Sequence, residues 1–309
     1  MSLIFCSRTD DPEEWRAAFA ATLPDLEFRV WPDVGVVDEV EIALVWDPMH
    51  ELLLHFPNLK LIASLGAGVD HLLAATTLPE GVPMTRIVDG NLTQAMREWV
   101  LLHTLYCHRQ APAYMGQQLQ QEWRPIGQPF AQERRVGIMG LGVLGAAAAE
   151  ALQHIGFAVS SWSRREKDLP GIESFAGPER FDDFLAAAEI LVCLLPLTPD
   201  TEGIVNSRTL NALPPGACLI NGARGGLVVE ADLIAALESG RLKHAVLDVT
   251  REEPLPADDP LWRAPNITIT PHVASITNAR SGARLIADNI RRIRAGETAH
   301  HLVDPKAGY

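Results

Sequence analysis

The chain has 309 residues, a formal net charge of −13 at neutral pH, and an ordinary globular composition with 47% hydrophobic and 21% charged residues. This length allows two domains, each able to bury a core without metal or disulfide staples. The acidic balance argues against nucleic acid as a partner, and the lack of a basic-apolar leader or a long uncharged apolar run argues against export or membrane insertion, so we expect a cytoplasmic protein.

The first part of the chain alternates short apolar runs with helical patterns, which predicts parallel β/α structure. A helix is predicted to begin at the Asp11-Pro12 start signal, and a long helix is predicted from about 93 to 108. Residues 120–134 have the composition of a loop that crosses into a new unit. Strands are predicted over LIFCS, EFRVW, IALVW, LKLIASLG and MTRIV.

From Arg135 the alternation restarts, and the pattern predicts a doubly wound parallel sheet. An alanine-rich helix is predicted over AAAAEALQHI, and a helix from about 277 to 295 precedes a tail to Tyr309 that is too small for a further domain. Strands are predicted over RVGIMG, AVSSWS, ILVCLLP, ACLING, HAVLDV and NITITP.

The four cysteines, Cys6, Cys107, Cys193 and Cys218, are widely spaced and have neither metal-ligand nor disulfide spacing. Three of them stand in apolar runs that are typical of buried strands. We therefore expect buried, reduced thiols and a reducing compartment.

Gly140, Gly142 and Gly145 satisfy the G-x-G-x-x-G pattern directly after a predicted strand and before a helix-forming run. In that context the first glycine permits a tight turn, the second lets backbone amides approach a pyrophosphate, and the third allows close packing of helix on sheet. With Val143 and Leu144 at the helix N-terminus, the segment predicts a dinucleotide site.

The end of the next predicted strand indicates which dinucleotide binds. NAD sites usually place Asp or Glu there for the ribose 2′-hydroxyl, whereas this strand runs into Ser163, Arg164 and Arg165. Guanidinium groups and a hydroxyl suit a 2′-phosphate, so we expect NADPH to be preferred, with NADH possible.

Arg224, Glu253 and His272 stand in the segments NGARGG, DVTREEPLP and TPHVAS, downstream of the glycine turn. Arginine can hold an oxyacid in a bidentate fork, histidine can deliver a proton near neutral pH, and a carboxylate can stabilise the imidazolium. Because reduction of a carbonyl produces an alkoxide that an imidazolium neutralises, the three residues predict a catalytic set for hydride transfer.

These motifs occur in one order over essentially the whole chain, and together they resemble the D-isomer-specific 2-hydroxyacid dehydrogenase family, above all its bacterial glyoxylate/hydroxypyruvate reductase A group. The resemblance implies NADPH-dependent reduction of glyoxylate to glycolate and of hydroxypyruvate to D-glycerate. It implies that Arg224 grips the substrate carboxylate and carbonyl oxygen, that His272 protonates that oxygen, and that Glu253 pairs with His272.

The resemblance also implies the fold and the assembly. It predicts an α/β protein with two Rossmann/flavodoxin-like doubly wound parallel-sheet domains and the active site in the cleft between them. A cofactor domain, residues 99–283, would be inserted into a substrate domain made of residues 1–98 and 284–309. A homodimer is the usual assembly of such enzymes.

Further site residues follow from the matched motifs. In the loop SLGAGVD, the amides of Ala67, Gly68 and Val69 are predicted to bind the substrate carboxylate, because glycines leave backbone N–H groups open to an anion. Trp46 matches a tryptophan that the reductase A group places near a small substrate, and the equal alternative is a core aromatic residue. The predicted cofactor contacts are Gly140, Gly142, Val143, Leu144, Gly145, Ser163, Arg164, Arg165, Leu195, Pro196, Ala223 and Asp248, and no metal ligand is predicted.

Three departures from the family pattern bear on substrate preference. Thr250 stands where many relatives carry an aromatic residue, and Met49 follows Pro48 where relatives can have a second proline. Gly225-Gly226 is expected to loosen the loop after Arg224. Two alternative functions stay open. One is reduction of another 2-oxoacid, such as 3-phosphohydroxypyruvate, a branched oxoacid or phenylpyruvate, and the other is a corepressor-like protein that senses dinucleotides.

Overall fold

The computed structural model describes residues 1–46, 51–73 and 78–304, so Met49 lies outside the described residues. The chain forms two compact units. The first combines Met1–Leu92 with the segment from Ile276 onward, and the second is Thr93–Ser275. Within the described ranges, no helix has both the length and the apolar character that crossing a bilayer requires.

Strands and helices alternate along the chain, as the sequence pattern predicts. The described strands are β1 Ser2–Cys6, β2 Glu27–Val30, β3 Val40–Val45, β4 Leu61–Ser64, β5 Met84–Thr85, β6 Arg135–Met139, β7 Ala158–Ser163, β8 Glu173–Ala176, β9 Ile190–Cys193, β10 Ala217–Asn221, β11 Leu242–Leu247 and β12 Ile267–Ile269. The described α-helices are α1 Pro12–Thr22, α2 Asp70–Leu73, α3 Gly90–His108, α4 Ala111–Leu119, α5 Val143–Ile155, α6 Phe181–Ala187, α7 Ser207–Ala212, α8 Glu230–Glu238 and α9 Ala279–Arg294.

The described part of the first unit contains a parallel sheet in the order β2-β1-β3-β4-β5, which is the flavodoxin-like order of doubly wound sheets. Every residue of β1 and β4 is buried. Burial on both faces explains why these strands are continuous apolar runs rather than alternating ones.

Helices from the two ends of the sequence pack together in the first unit. Asp11 caps α1 by accepting a hydrogen bond from the Glu13 amide, and the buried Trp15 of that helix lies against Gly282 of α9. A Cβ built on Gly282 would lie 2.7 Å from Cη2 of Trp15, so only glycine permits this approach. The tail after α9 also pairs with β5, through a hydrogen bond from the Val303 amide to the Met84 carbonyl.

The boundaries of the two compact units are 92/93 and 275/276, so α9 lies in the first unit over its whole length. The domain boundaries at 98/99 and 283/284 stay a prediction. The assignment of the two units to substrate and cofactor stays a prediction.

The second unit contains a parallel sheet in the order β12-β11-β10-β9-β6-β7-β8. From β6 the chain moves outward through β7 and β8, then returns to β9 on the other side of β6. Ligands of such sheets bind outside the carboxyl ends of the strands at this switch point. All the predicted cofactor residues follow or end strands of this sheet.

The predicted strands are confirmed, but several short elements were not predicted individually: α4, β8, α6, α7 and α8. The edge strand β8, with the sequence ESFA, is too short to show a clear alternation of apolar and polar residues. The four cysteines are free and buried, as expected.

Candidate active site

The glycine turn has the geometry of an anion-binding site. Gly140 has a φ of +98°, and a Cβ there would lie 2.6 Å from the Leu194 carbonyl oxygen, while a Cβ on Gly145 would lie 1.9 Å from the Gly140 oxygen. Gly142 differs, because no atom lies within 4 Å of its Cβ position. It is the N-cap of α5 and gives that helix no side-chain cap, so the first amides of α5, from Val143, Leu144 and Gly145, receive no hydrogen bond from the cap residue and suit an anion.

The turn after β7 places two arginines at the surface. Ser163 is buried, and its hydroxyl donates a hydrogen bond of 2.6 Å to the Arg165 carbonyl oxygen. Arg164 and Arg165 are both exposed. The serine was predicted to contact a 2′-phosphate directly, but its proton is used to shape the turn that presents the two guanidinium groups.

The turn after β10 carries the predicted positions Ala223 and Arg224. The fully buried Asn221 organises it, since its side chain accepts a hydrogen bond from the Ala223 amide and donates one of 2.9 Å to the Arg224 carbonyl. Leu195 and Pro196 follow β9, where the Pro196 carbonyl accepts a hydrogen bond from the Thr201 hydroxyl. These residues lie at the carboxyl edge of the sheet, as the motif predicts.

Asp248, at the end of β11, fixes the segment that contains His272. One of its carboxylate oxygens accepts hydrogen bonds from the Thr270 hydroxyl at 2.6 Å and from the Val273 amide, and the other accepts one from the Ala274 amide. Its carbonyl oxygen accepts the His272 amide at 2.7 Å. Asp248 is 2% exposed and was predicted as a cofactor contact, so its role in holding this segment is one that sequence reasoning missed.

His272 and Glu253 form the predicted pair. The distance from Nδ1 of His272 to Oε2 of Glu253 is 2.7 Å, and about a third of each side chain is exposed. His272 has a φ of +54°, a left-handed conformation that is uncommon for residues with a Cβ and typical of functional sites. Because Nδ1 is hydrogen-bonded to the carboxylate, a proton exchanged with a ligand would pass through the other ring nitrogen, Nε2.

The environment of Glu253 keeps it ionised. Burial by itself raises the pKa of this carboxyl, but the hydrogen bond and charge of His272, the Thr250 amide and the positive charge of Arg224 outweigh burial and lower the pKa below its usual value. The Thr250 amide donates to Oε1 at 3.1 Å, which leaves Oε2 for the histidine. Glu253 is therefore a carboxylate throughout the neutral range.

Gly225 brings the loop of Arg224 against the loop of Glu253. A Cβ on Gly225 would lie 1.9 Å from the carbonyl carbon of Thr250, so the two backbones touch. The expectation that Gly225-Gly226 loosens this loop is therefore wrong at Gly225, where the glycine permits close packing. The Glu253 loop is braced from a second side, because the Arg251 amide donates to Glu230 and the Arg251 guanidinium pairs with Glu202 at 2.9 Å.

In the first unit, the loop after β4 contains the three amides that were predicted to bind the substrate carboxylate. Ser64 braces it by accepting a hydrogen bond from the Gly66 amide and donating one of 3.1 Å to the Gly68 carbonyl. Within residues 1–46, 51–73 and 78–304, no group accepts a hydrogen bond from the amides of Ala67, Gly68 and Val69. Successive unpaired N–H groups of this kind suit a carboxylate.

Trp46 lies beside that loop. Its amide donates to the Cys6 carbonyl at 2.9 Å, and its indole packs against Gly66, where a Cβ would lie 2.6 Å from Cζ3. The ring is half-buried, so it is neither a fully enclosed core residue nor a free surface residue. No sequence pattern indicated that the ring of His71 is a neighbour of the indole, with the two ring centroids 4.3 Å apart.

The residues present fit a bound dinucleotide. The open position at Gly142, the uncapped N-terminus of α5 and the arginines after β7 match a pyrophosphate and a 2′-phosphate in charge and in available space. The His272–Glu253 pair next to Arg224 can hold a carboxylate and supply a proton to an oxygen. The arrangement is therefore chemically suited to carbonyl reduction.

Comparison with known proteins agrees with this chemistry. Residues 101–274 match the family model of the D-isomer specific 2-hydroxyacid dehydrogenase NAD binding domain. The chain is 43% identical over 314 residues to glyoxylate/hydroxypyruvate reductase A of Serratia proteamaculans (strain 568), and the similarity covers all of both chains.

Two solved structures are similar over the same length. One is a D-isomer specific 2-hydroxyacid dehydrogenase from Xanthobacter autotrophicus Py2 in complex with NADPH and MES, with a TM-score of 0.95, 46% identity and coverage of 100% of this chain and 99% of the other. The other is an NADPH-dependent glyoxylate/hydroxypyruvate reductase from Sinorhizobium meliloti in complex with NADP and sulfate, with a TM-score of 0.93, 39% identity and full coverage of both chains.

Proposed function

The chain belongs to the D-isomer specific 2-hydroxyacid dehydrogenase family, and we propose that it is an oxidoreductase that uses NADPH to reduce small 2-oxoacids, namely glyoxylate to glycolate and hydroxypyruvate to D-glycerate. The observation that carries this proposal is the 2.7 Å hydrogen bond between His272 and Glu253, with the charge of Arg224 acting on the same carboxylate. The similarity to glyoxylate/hydroxypyruvate reductase A supports the choice of substrates.

In the proposed reaction, the Arg224 guanidinium binds the carboxylate and carbonyl oxygen of the 2-oxoacid and polarises the carbonyl. When bound, the reduced nicotinamide supplies the hydride that reaches the carbonyl carbon. His272 donates the proton on Nε2 to the carbonyl oxygen as negative charge develops there. Glu253 accepts the hydrogen bond from Nδ1–H and so stabilises the imidazolium before the proton leaves.

The first unit contributes the predicted carboxylate contacts. The amides of Ala67, Gly68 and Val69 would donate to the substrate carboxylate, which offsets the repulsion expected from an acidic protein surface. Trp46 would limit the space beside them. The unpaired state of the three amides among the described residues supports this assignment.

A preference for NADPH is supported by the exposed Arg164 and Arg165 at the end of β7, where an acidic residue would repel a 2′-phosphate. Several similar structures contain NADPH or NADP.

We also propose a homodimer. Large apolar side chains are strongly exposed along α3, α4 and the loop that follows: Leu119 is 87% exposed, Trp123 99% and Phe130 71%, and Leu102 and Met115 are also exposed. Monomers rarely leave such surface uncovered, and a second copy of this chain would bury it.

The cytoplasmic location stays a prediction, in keeping with the four free cysteines.

The substrate proposal predicts the outcome of an activity panel. Glyoxylate and hydroxypyruvate should be reduced with NADPH, and His272→Gln should lower kcat by roughly 10²–10⁴-fold because the proton donor is lost. The measurement is steady-state oxidation of NADPH, with cofactor affinity of the variant as the control for folding. Turnover of phenylpyruvate but of neither small substrate would refute the substrate assignment, and no turnover of any 2-oxoacid would favour a dinucleotide sensor.

The cofactor proposal predicts a selective loss. Replacing Arg164 and Arg165 by alanine should lower kcat/KM for NADPH by at least about tenfold, since each charged hydrogen bond is worth about 1.5–3 kcal/mol, and should leave kcat/KM for NADH unchanged. Arg263→Ala, an exposed arginine of the same unit, is the matched control. Equal efficiency of the unmutated enzyme with both cofactors would contradict the proposal.

The assembly proposal predicts a mass of twice the 33.7 kDa chain in sedimentation equilibrium. Trp123→Glu should shift the mass to that of one chain, because a carboxylate would be buried at the interface. Trp262→Glu, at a half-exposed tryptophan of the same unit, should leave the dimer intact. A monomeric wild-type protein would rule out the dimer.

A further inference from the structure

An aromatic pair stands next to the row of unpaired amides in the first unit. The indole of Trp46 and the imidazole of His71 have centroids 4.3 Å apart and planes tilted by 50°. The indole also meets Gly66, where a Cβ would lie 2.6 Å from Cζ3 and 3.2 Å from Cη2. The Trp46 ring thus contacts both the backbone of the loop and the His71 ring.

Gly66 and His71, which both contact the indole, are themselves held in place. The Gly66 amide donates to Ser64 Oγ and the Gly66 carbonyl accepts the Ile87 amide at 2.9 Å, so this part of the loop cannot shift without breaking both bonds. His71 lies in α2, directly after the same loop, and the next residue, Leu72, is fully buried. The backbone of His71 is therefore anchored in the first unit, and the imidazole keeps its place beside the indole.

Gly66 immediately precedes the amides of Ala67, Gly68 and Val69. A 2-oxoacid whose carboxylate is bound by these amides would lie near the indole, because the indole contacts the residue just before them. The position of the indole would then limit the size of the substituent on C2. Glyoxylate carries only hydrogen there and hydroxypyruvate a hydroxymethyl group, whereas longer oxoacids need the space that the ring occupies.

We propose that His71 is a positioning residue that sets substrate size by holding the Trp46 indole against Gly66. This inference rests on the proposed reduction of 2-oxoacids and extends it, because it assigns the size limit to a ring outside the proton-transfer set. His71 acts through Trp46 and has no part in the chemistry.

Replacement of the ring should relax the size limit. With His71→Ala or His71→Asn, the contact between the imidazole and the indole is lost, and an aromatic pair of this kind is worth a change of roughly three- to tenfold in an equilibrium. We expect the ratio of kcat/KM for 2-oxobutyrate to kcat/KM for glyoxylate to rise by about that factor. The change should lie mainly in KM, because the proton donor and its carboxylate are untouched.

His71→Phe separates the role of the ring from that of its nitrogens. Phenylalanine keeps a flat ring beside the indole, so the ratio of kcat/KM for 2-oxobutyrate to kcat/KM for glyoxylate in this variant should stay within about twofold of the wild type. Asparagine keeps the polarity of the side chain but not the ring. His55→Ala, at an exposed histidine of the same unit, is the matched control and should change nothing. The KM for NADPH, measured for each variant, reports whether the fold is intact.

The outcomes are distinct. A raised ratio in His71→Ala and His71→Asn, with the wild-type ratio in His71→Phe, supports the inference. An unchanged ratio in an active His71→Asn enzyme, or an equal shift in His71→Phe, overturns it and leaves the proposed function standing. A wild-type protein that reduces no 2-oxoacid overturns the inference together with the function on which it rests.

Discussion

The active centre depends on one hydrogen bond, from His272 Nδ1 to Glu253 Oε2 at 2.7 Å. A histidine can protonate a developing alkoxide only if the proton is on the ring and the ring is correctly oriented, and this bond serves both needs. The surrounding structure holds its two ends. Asp248 fixes the segment of His272 through hydrogen bonds to three neighbouring groups, and the Thr250 amide fixes Glu253.

The fold makes that arrangement possible because parallel strands end at a common edge. Arg224, Glu253 and His272 follow β10, β11 and β12 in order, and those strands are neighbours in the sheet. Residues far apart in sequence therefore meet without long side chains reaching across the unit. Gly225 completes the approach, since any side chain at this position would collide with the Thr250 backbone.

Sequence reasoning succeeded where the signal is local and failed where it depends on packing. The glycine turn and the buried strands have fixed spacing or continuous apolar runs, so their positions were predicted. The packing of α1 against α9 could not be predicted from hydrophobic periodicity, because the contact of Trp15 with Gly282 joins opposite ends of the chain. For the same reason Gly225 was misinterpreted as a source of flexibility, and the roles of Asn221 and Asp248 in shaping their loops were missed.

The central claim is that His272 delivers the proton and that Glu253 acts through it by the hydrogen bond to Nδ1. The most direct test is kcat for glyoxylate reduction in His272→Gln, in Glu253→Gln and in the double variant. Because the two residues act as one unit, the double variant should lose little more than His272→Gln alone. Losses that add fully in the double variant would contradict the claim.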